Sequence, residues 1–205
     1  MITMKNQVVM PSWAGSPVVR EESGWPLVME YEPKFFWRAG LVDLSHRPKA
    51  LLCGRGIEDA PELSPGRARL HEGAFYCRIN QDETAVFDLK GELNRPWPDE
   101  FYTDMTHGWL FFALLGKNAL PILQRLAAVD VEQPGVSEPL YQNTKSHNLW
   151  LQIINPKFSE PGFFLACDRS HGQNLLDGLL RTGRHLGLRI LGLGEYQGWA
   201  EKVGI

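Results

Sequence analysis

The 205-residue sequence lacks a long hydrophobic run and an excess of basic charge. Its best apolar run, Trp109 to Leu115, has seven residues, whereas a membrane-spanning helix needs about 18. The 21 basic and 24 acidic residues give a formal net charge of −3, without the basic stripe typical of nucleic-acid-binding domains. We therefore expect neither a membrane nor a nucleic acid as a partner.

Cofactor and metal motifs are also missing. The cysteines, Cys53, Cys77 and Cys167, are odd in number and far apart among apolar residues, which predicts small buried side chains in a reducing compartment. None of the six histidines has a metal-ligand spacing with a cysteine, histidine or carboxylate, so no metal site is expected. No phosphate-binding glycine loop or dinucleotide fingerprint occurs. Without an apolar leader after Met1, the expected location is the cytoplasm.

A strand-rich pattern interrupted by helices is what the sequence does contain. Residues 1–26 hold prolines and glycines with few periodic apolar positions, and are expected to form an extended N-terminal arm. A short helix is expected from Glu30 to Arg38, and helical spacing predicts two main helices over 118–128 and 171–186. Apolar runs predict strands over 41–45, 50–53, 74–79, 84–89, 109–115, 149–154, 162–167 and 188–191. The expected fold class is α+β, with antiparallel strand pairs packed by the two main helices.

Several segments, in the same order, resemble the glycine cleavage T-protein, the tetrahydrofolate-dependent aminomethyltransferase, and its relatives. Residues 39–46 (A-G-L-V-D-L-S-H) resemble that family's A-G-L-F-D-V-S-H signature, and Lys49 falls where the family has its M-G-K lysine. Residues 64–68 resemble the K-P-G-R-A turn, and residues 158–163 resemble T-G-E-x-G-F. The resemblance implies a T-protein-like folate-binding fold in residues 27–205, as a single domain without the family's C-terminal barrel.

The sequence departs from this family where the chemistry is carried. The hairpin that bears the family's acidic residue is shortened to residues 70–73, and Tyr196 stands in place of the arginine of A-R-D. Glu160 matches the glutamate that binds the pterin of tetrahydrofolate, and an exposed turn carboxylate is the open alternative for it. The resemblance implies a ligand-binding set of Glu160, Phe163 and Tyr196, and it assigns no catalytic residue.

A reduced T-protein fold of about 200 residues also resembles the gamma subunit of heterotetrameric sarcosine oxidase. Groups such as the missing acid and arginine each contribute about 10²–10³-fold to catalysis. Their absence predicts an accessory or folate-binding protein of one-carbon metabolism, working as a subunit beside an amine- or methyl-processing enzyme. Its partner would be another protein or a second copy, and tetrahydrofolate is the cofactor that the resemblance implies.

A compact tetrahydrofolate-dependent methyl- or aminomethyltransferase acting alone is the alternative, so the sequence leaves open whether the chain is an enzyme. Glu72 or Asp82 would then replace the missing acid, and His71 or His107 would transfer protons.

The shortened hairpin also leads to an expectation about the middle of the fold. An unfilled void costs about 24 cal/mol per Å³, so the opening should either be wider or be filled by Trp109, Trp150 or Trp199. A filled centre would indicate a scaffold, and an open one lined by Glu160 a ligand site.

Overall fold

The structure is a computed structural model that describes residues 9–54, 63–91, 101–146 and 148–205. Its helices are α1 (Ala119–Leu126), α2 (Gly172–Gly183) and α3 (Leu193–Val203). Its strands are β1 (Ser16–Glu22), β2 (Trp25–Glu32), β3 (Ala39–Asp43), β4 (Lys49–Cys53), β5 (Ala68–His71), β6 (Ala74–Arg78), β7 (Glu83–Asp88), β8 (Tyr102–Asp104), β9 (Trp109–Leu115), β10 (Leu140–Ser146), β11 (Leu149–Asn155), β12 (Gly162–Asp168) and β13 (Leu188–Leu191).

The strands of the described ranges form two sheets and a hairpin. The larger sheet has the order β10-β11-β12-β9-β3-β13, the smaller one the order β5-β6-β7-β4-β8, and β1 pairs with β2. These strand pairs are antiparallel, except that β13 runs parallel to β3. The predicted α+β class with antiparallel sheets is confirmed. No helix in the described ranges is both long and apolar enough to cross a membrane.

The larger sheet is covered on both faces, which explains why β9 is apolar at every position. Successive side chains of a strand point to opposite faces. Leu110, Phe112 and Leu114 therefore pack with α1 and α2 in what we call the helix-side core. Trp109 and Phe111 pack toward the smaller sheet, in the inter-sheet core.

Two of the predicted helices are present in the structure, one predicted helix is not, and one helix was not predicted. Helices α1 and α2 lie within the predicted ranges 118–128 and 171–186, so both predictions are confirmed. The helix predicted from Glu30 to Arg38 is wrong, because β2 continues to Glu32 and residues 33–38 are irregular. Pro33 disfavours helical backbone at the residue before it, and pairing of Glu30 with β1 supplies the competing strand contacts. Helix α3 was not predicted.

The segment predicted as an extended arm contributes to the hairpin. Residues 1–8 lie outside the described part of the chain, and Ser12–Ala14 forms one turn of 3₁₀ helix. Every residue of β1 is exposed, whereas Trp25 and Leu27 of β2 are buried in the inter-sheet core. The division of the chain into an arm and a single domain stays a prediction.

Candidate functional site

Aromatic side chains fill the space between the two sheets. Trp199 of α3 lies with its ring centre 5.9 Å from that of Phe158, 6.0 Å from Phe164 and 6.1 Å from Tyr196. Its indole also covers the backbone of Gly162, where an added Cβ would approach the indole Cζ2 to 2.5 Å. Trp199 is only 6% exposed. We call these four aromatic residues the central aromatic cluster.

The expectation of a filled centre holds for two of the three tryptophans. Trp109 is buried beneath Phe87, with 5.6 Å between the ring centres, and Trp199 is buried as described. The prediction is wrong for Trp150, which is 57% exposed. Trp150 lies on β11, next to the edge strand β10, at a part of the larger sheet that reaches beyond this cluster.

The predicted ligand set is divided between two faces of the larger sheet. Glu160 is exposed in the connection that precedes β12. Phe163 lies in the helix-side core, whereas Tyr196 lies in the inter-sheet core. The alternation along β12 places Phe164, rather than Phe163, on the same side as Tyr196. A ligand-binding role for the three residues stays a prediction.

The central aromatic cluster is held by packing rather than by hydrogen bonds. The Tyr196 hydroxyl and the Trp199 Nε1 group are buried and have no hydrogen-bond partner among the described residues. Burial raises the pKa of the Tyr196 phenol well above its usual value, against the opposing charge of Arg47 and with a smaller contribution from Asp88. The phenol therefore stays neutral and offers no charge to a ligand.

A buried polar network surrounds Lys49, where β4 begins. The Lys49 side chain is fully buried, and its Nζ donates to the carbonyl oxygens of Ser45 and Arg47, each at 2.8 Å. Asp43 Oδ1 accepts from the Ser45 N–H at 2.8 Å, and Ser45 Oγ accepts from the Phe111 N–H at 3.1 Å. Residues 43–49 thus form a turn that their own side chains close and anchor to β9.

Burial shifts the titration of this turn. Burial and, to a smaller extent, the nearby Arg169 guanidinium lower the pKa of Lys49 to about 7, against the opposing effects of Asp43 and Asp104. Burial also raises the pKa of Asp43 and lowers that of His46 to about 3. A partly neutral lysine amine can serve as a base or nucleophile. Here, however, its Nζ points at two backbone carbonyls.

The cavity beside this turn is small. It has a volume of about 70 Å³, well below the roughly 300–1,000 Å³ typical of small-molecule sites. Its lining includes Trp25, Asp43, His46 and Arg169 but not Lys49. The Arg169 guanidinium lies 5.4 Å from the Trp25 ring and donates to the His107 carbonyl at 2.9 Å. Sequence reasoning missed Arg169, because it belongs to no motif and only the fold brings it to this turn.

Comparisons with known proteins define the fold. No protein-family model matches the sequence, and no curated protein matches it. The aminomethyltransferase T of the glycine cleavage system from Bartonella henselae superposes with a TM-score of 0.59 at 15% identity, over 88% of this chain and 57% of that one. A chain of the heterotetrameric sarcosine oxidase from Corynebacterium sp. U-96 superposes with a TM-score of 0.57 at 13% identity, over 75% of this chain and 88% of that one.

The chain has a T-protein-like fold. The predicted T-protein-like fold is thus confirmed. The chain spans little more than half of the Bartonella aminomethyltransferase.

Within this T-protein-like fold, the residues of the alternative catalytic set lie apart. Glu72 and Asp82 are exposed at opposite ends of β6, in the turns to β5 and to β7. His71 Nε2 lies 4.0 Å from Glu72 Oε1 on the surface, while the His107 ring stacks on Trp25 at 5.2 Å. The acid and histidine of this set that the structure brings together, Glu72 and His71, are both exposed on the surface.

The cysteines differ from expectation at one position. Cys77 and Cys167 are buried as predicted, but Cys53 is exposed, because it is the last residue of β4 and its side chain points outward. All three are free thiols. Across the described ranges, no group of three histidine, cysteine or acidic residues is placed to hold a metal ion.

Proposed function

We propose that the chain is a non-catalytic accessory subunit of one-carbon metabolism that works beside an amine- or methyl-processing enzyme. The observation that carries this proposal is the Trp199 indole on Gly162, at the segment where the sequence resemblance expects the pterin ligand. The similarity to 88% of a chain from a heterotetrameric oxidase supports a subunit role. Transfer chemistry by this chain alone has little support, because Glu72 and Asp82, the candidate acids, are both exposed in surface turns.

Tetrahydrofolate does not fit the centre of the fold. Trp199, Phe158 and Phe164 occupy the space beside Gly162, and the polar atoms of Tyr196 and Trp199 lie within this packed cluster. Glu160 is exposed to solvent instead of facing an enclosed pocket. A pterin ring would have to displace buried aromatic area that contributes about 25 cal/mol per Å² to stability.

We predict that calorimetric titration with tetrahydrofolate shows no saturable binding at ligand concentrations up to about 1 mM. The Glu160→Gln variant should behave like the wild type, with an unchanged melting temperature, because Glu160 is a solvated turn carboxylate. Saturable binding by the wild type that is weakened in Glu160→Gln would contradict this prediction and return the chain to the folate-binding class.

An exposed aromatic surface is the best candidate for contact with the partner enzyme. Phe36 is 82% exposed, and Phe35 lies beside a groove that Trp13 and Trp37 also line. The Arg189 guanidinium lies 5.3 Å from the Phe35 ring at the edge of this groove. Exposed apolar groups that cluster in this way are typical of protein interaction sites.

We predict that the chain purified from its native source elutes with a larger enzyme. The Phe36→Ala variant should lower the yield of this complex severalfold, because exposed aromatic anchors dominate such interfaces. Trp150→Ala is the matched control, since it removes an exposed ring from a different place, strand β11 of the larger sheet. A chain that stays at its monomer mass of 23.2 kDa at every concentration, with no co-eluting protein, would refute the subunit role.

A further inference from the structure

A cleft lies between the two sheets beside Trp150, away from the central aromatic cluster. Its floor belongs to the larger sheet, where Asn143 pairs with Gln152 and Asp168 pairs with Trp109. Trp150 follows on the same face as Gln152, two positions along β11. The larger sheet thus presents two neighbouring rows of polar and indole side chains at this end.

The smaller sheet supplies the facing wall. Leu51 of β4, together with Ile79 and Glu83 at the β6–β7 turn, lines the same cleft. Its volume is about 310 Å³, at the lower end of the roughly 300–1,000 Å³ typical of small-molecule sites. The cleft is therefore large enough for a small organic molecule.

The polar groups of this cleft are suited to a cation. Glu83 and Asp168 contribute two carboxylates, and one oxygen of Glu83 already accepts from Asn80 Nδ2 at 2.6 Å. The Lys145 Nζ lies 5.1 Å from the Trp150 ring centre, which places an ammonium group against this indole. The formal charges of these three side chains sum to −1. One negative charge is therefore left for a ligand to balance.

Gln152 provides an additional group for recognition. It is 8% exposed, and its Oε1 accepts from the Tyr141 hydroxyl at 2.9 Å. Its Nε2 amide has no hydrogen-bond partner in the described part of the chain and lies at the cleft. An amide donor in this position calls for an acceptor oxygen on whatever fills the cleft.

We propose that this cleft binds a small organic ammonium ion that carries a hydroxyl or carbonyl oxygen. The ammonium group lies against the Trp150 indole and near the carboxylates of Glu83 and Asp168, while the oxygen accepts from Gln152 Nε2. The apolar wall of Leu51 and Ile79 favours an alkylated ammonium over a hydrated metal ion. This site is independent of the proposed subunit role, so either can fail without the other.

Choline and its uncharged isostere 3,3-dimethyl-1-butanol test the proposal with the full chain, by tryptophan fluorescence and calorimetry. Choline should bind saturably and about tenfold more tightly than the isostere, because only choline carries the charge. Trp150→Ala and Asp168→Asn should each weaken choline binding about fivefold, since both side chains are exposed and neither holds the fold. Lys145→Ala should strengthen choline binding, because the substitution frees one face of the Trp150 indole and leaves the carboxylates in place.

Glu201→Gln is the matched control, since it removes an exposed carboxylate outside the cleft and should leave choline binding unchanged. Equal binding of choline and the isostere would overturn the proposal. So would the absence of saturation below about 100 mM choline, or a Trp150→Ala variant that binds as the wild type does while keeping its melting temperature.

Discussion

Replacing Trp199 with alanine should lower the free energy of unfolding by about 3–5 kcal/mol. The indole packs against Phe158, Phe164 and Tyr196 and covers the Gly162 backbone, so its removal leaves a cavity that β12 and the neighbouring rings cannot close. Urea denaturation followed by circular dichroism measures this loss. The result would establish that the centre of this T-protein-like fold is a packed core.

Trp150→Ala is the appropriate comparison, because that indole is 57% exposed and should contribute less than about 1 kcal/mol. If Trp199→Ala cost no more than Trp150→Ala, the centre would not be tightly packed. The centre could then admit a pterin ring at little cost in stability.

Stability should rise with pH above neutrality because of Lys49. Its pKa is about 7 in the folded chain, against 10.5 for a lysine side chain in water, so the unfolded chain binds more protons between these values. Below pH 7 both states are protonated, and the full cost of burying the charge is present. Between about pH 7 and 10.5 that cost is progressively removed, by an amount on the order of 4–5 kcal/mol.

The Lys49→Met variant isolates this effect. In this variant the unfolding free energy should no longer rise with pH through the titration of residue 49. The wild type should therefore gain stability relative to the variant from pH 7 to pH 10. Groups that titrate in both proteins, including the cysteines and tyrosines, cancel in this difference. Lys117→Met, at an exposed position, should leave the slope of the wild type unchanged. A Lys49→Met protein with the wild-type slope would contradict the burial argument.

Some elements were predictable because their signals are local. Residues 74–89 alternate around a polar turn, and they form the predicted hairpin of β6 and β7. Residues 109–115 are apolar at every position, and they form the central, doubly covered strand β9. Helix α3 was missed, because Gly194 and Gly198 lower its helix propensity and its buried positions are few.

The candidate site depended on contacts that local patterns do not contain. The resemblance located Glu160 and Tyr196 in their segments, but it did not reveal that Trp199 would cover Gly162. It also assigned Phe163 to the ligand, although Phe164 is the residue on the side of Tyr196. The cleft at Trp150 joins residues from both sheets that are up to 117 positions apart in the chain, from Leu51 to Asp168.

The sequence by itself determined the α+β class, most strands, the two main helices and the resemblance to the T-protein family. Those properties follow from apolar periodicity and from short motifs, which act over a few residues. Only the tertiary structure decided that β3 and β4, adjacent in the chain, belong to different sheets, and that the centre is filled. Periodicity shows which side chains share a face, whereas the partner of that face is set by packing between distant segments.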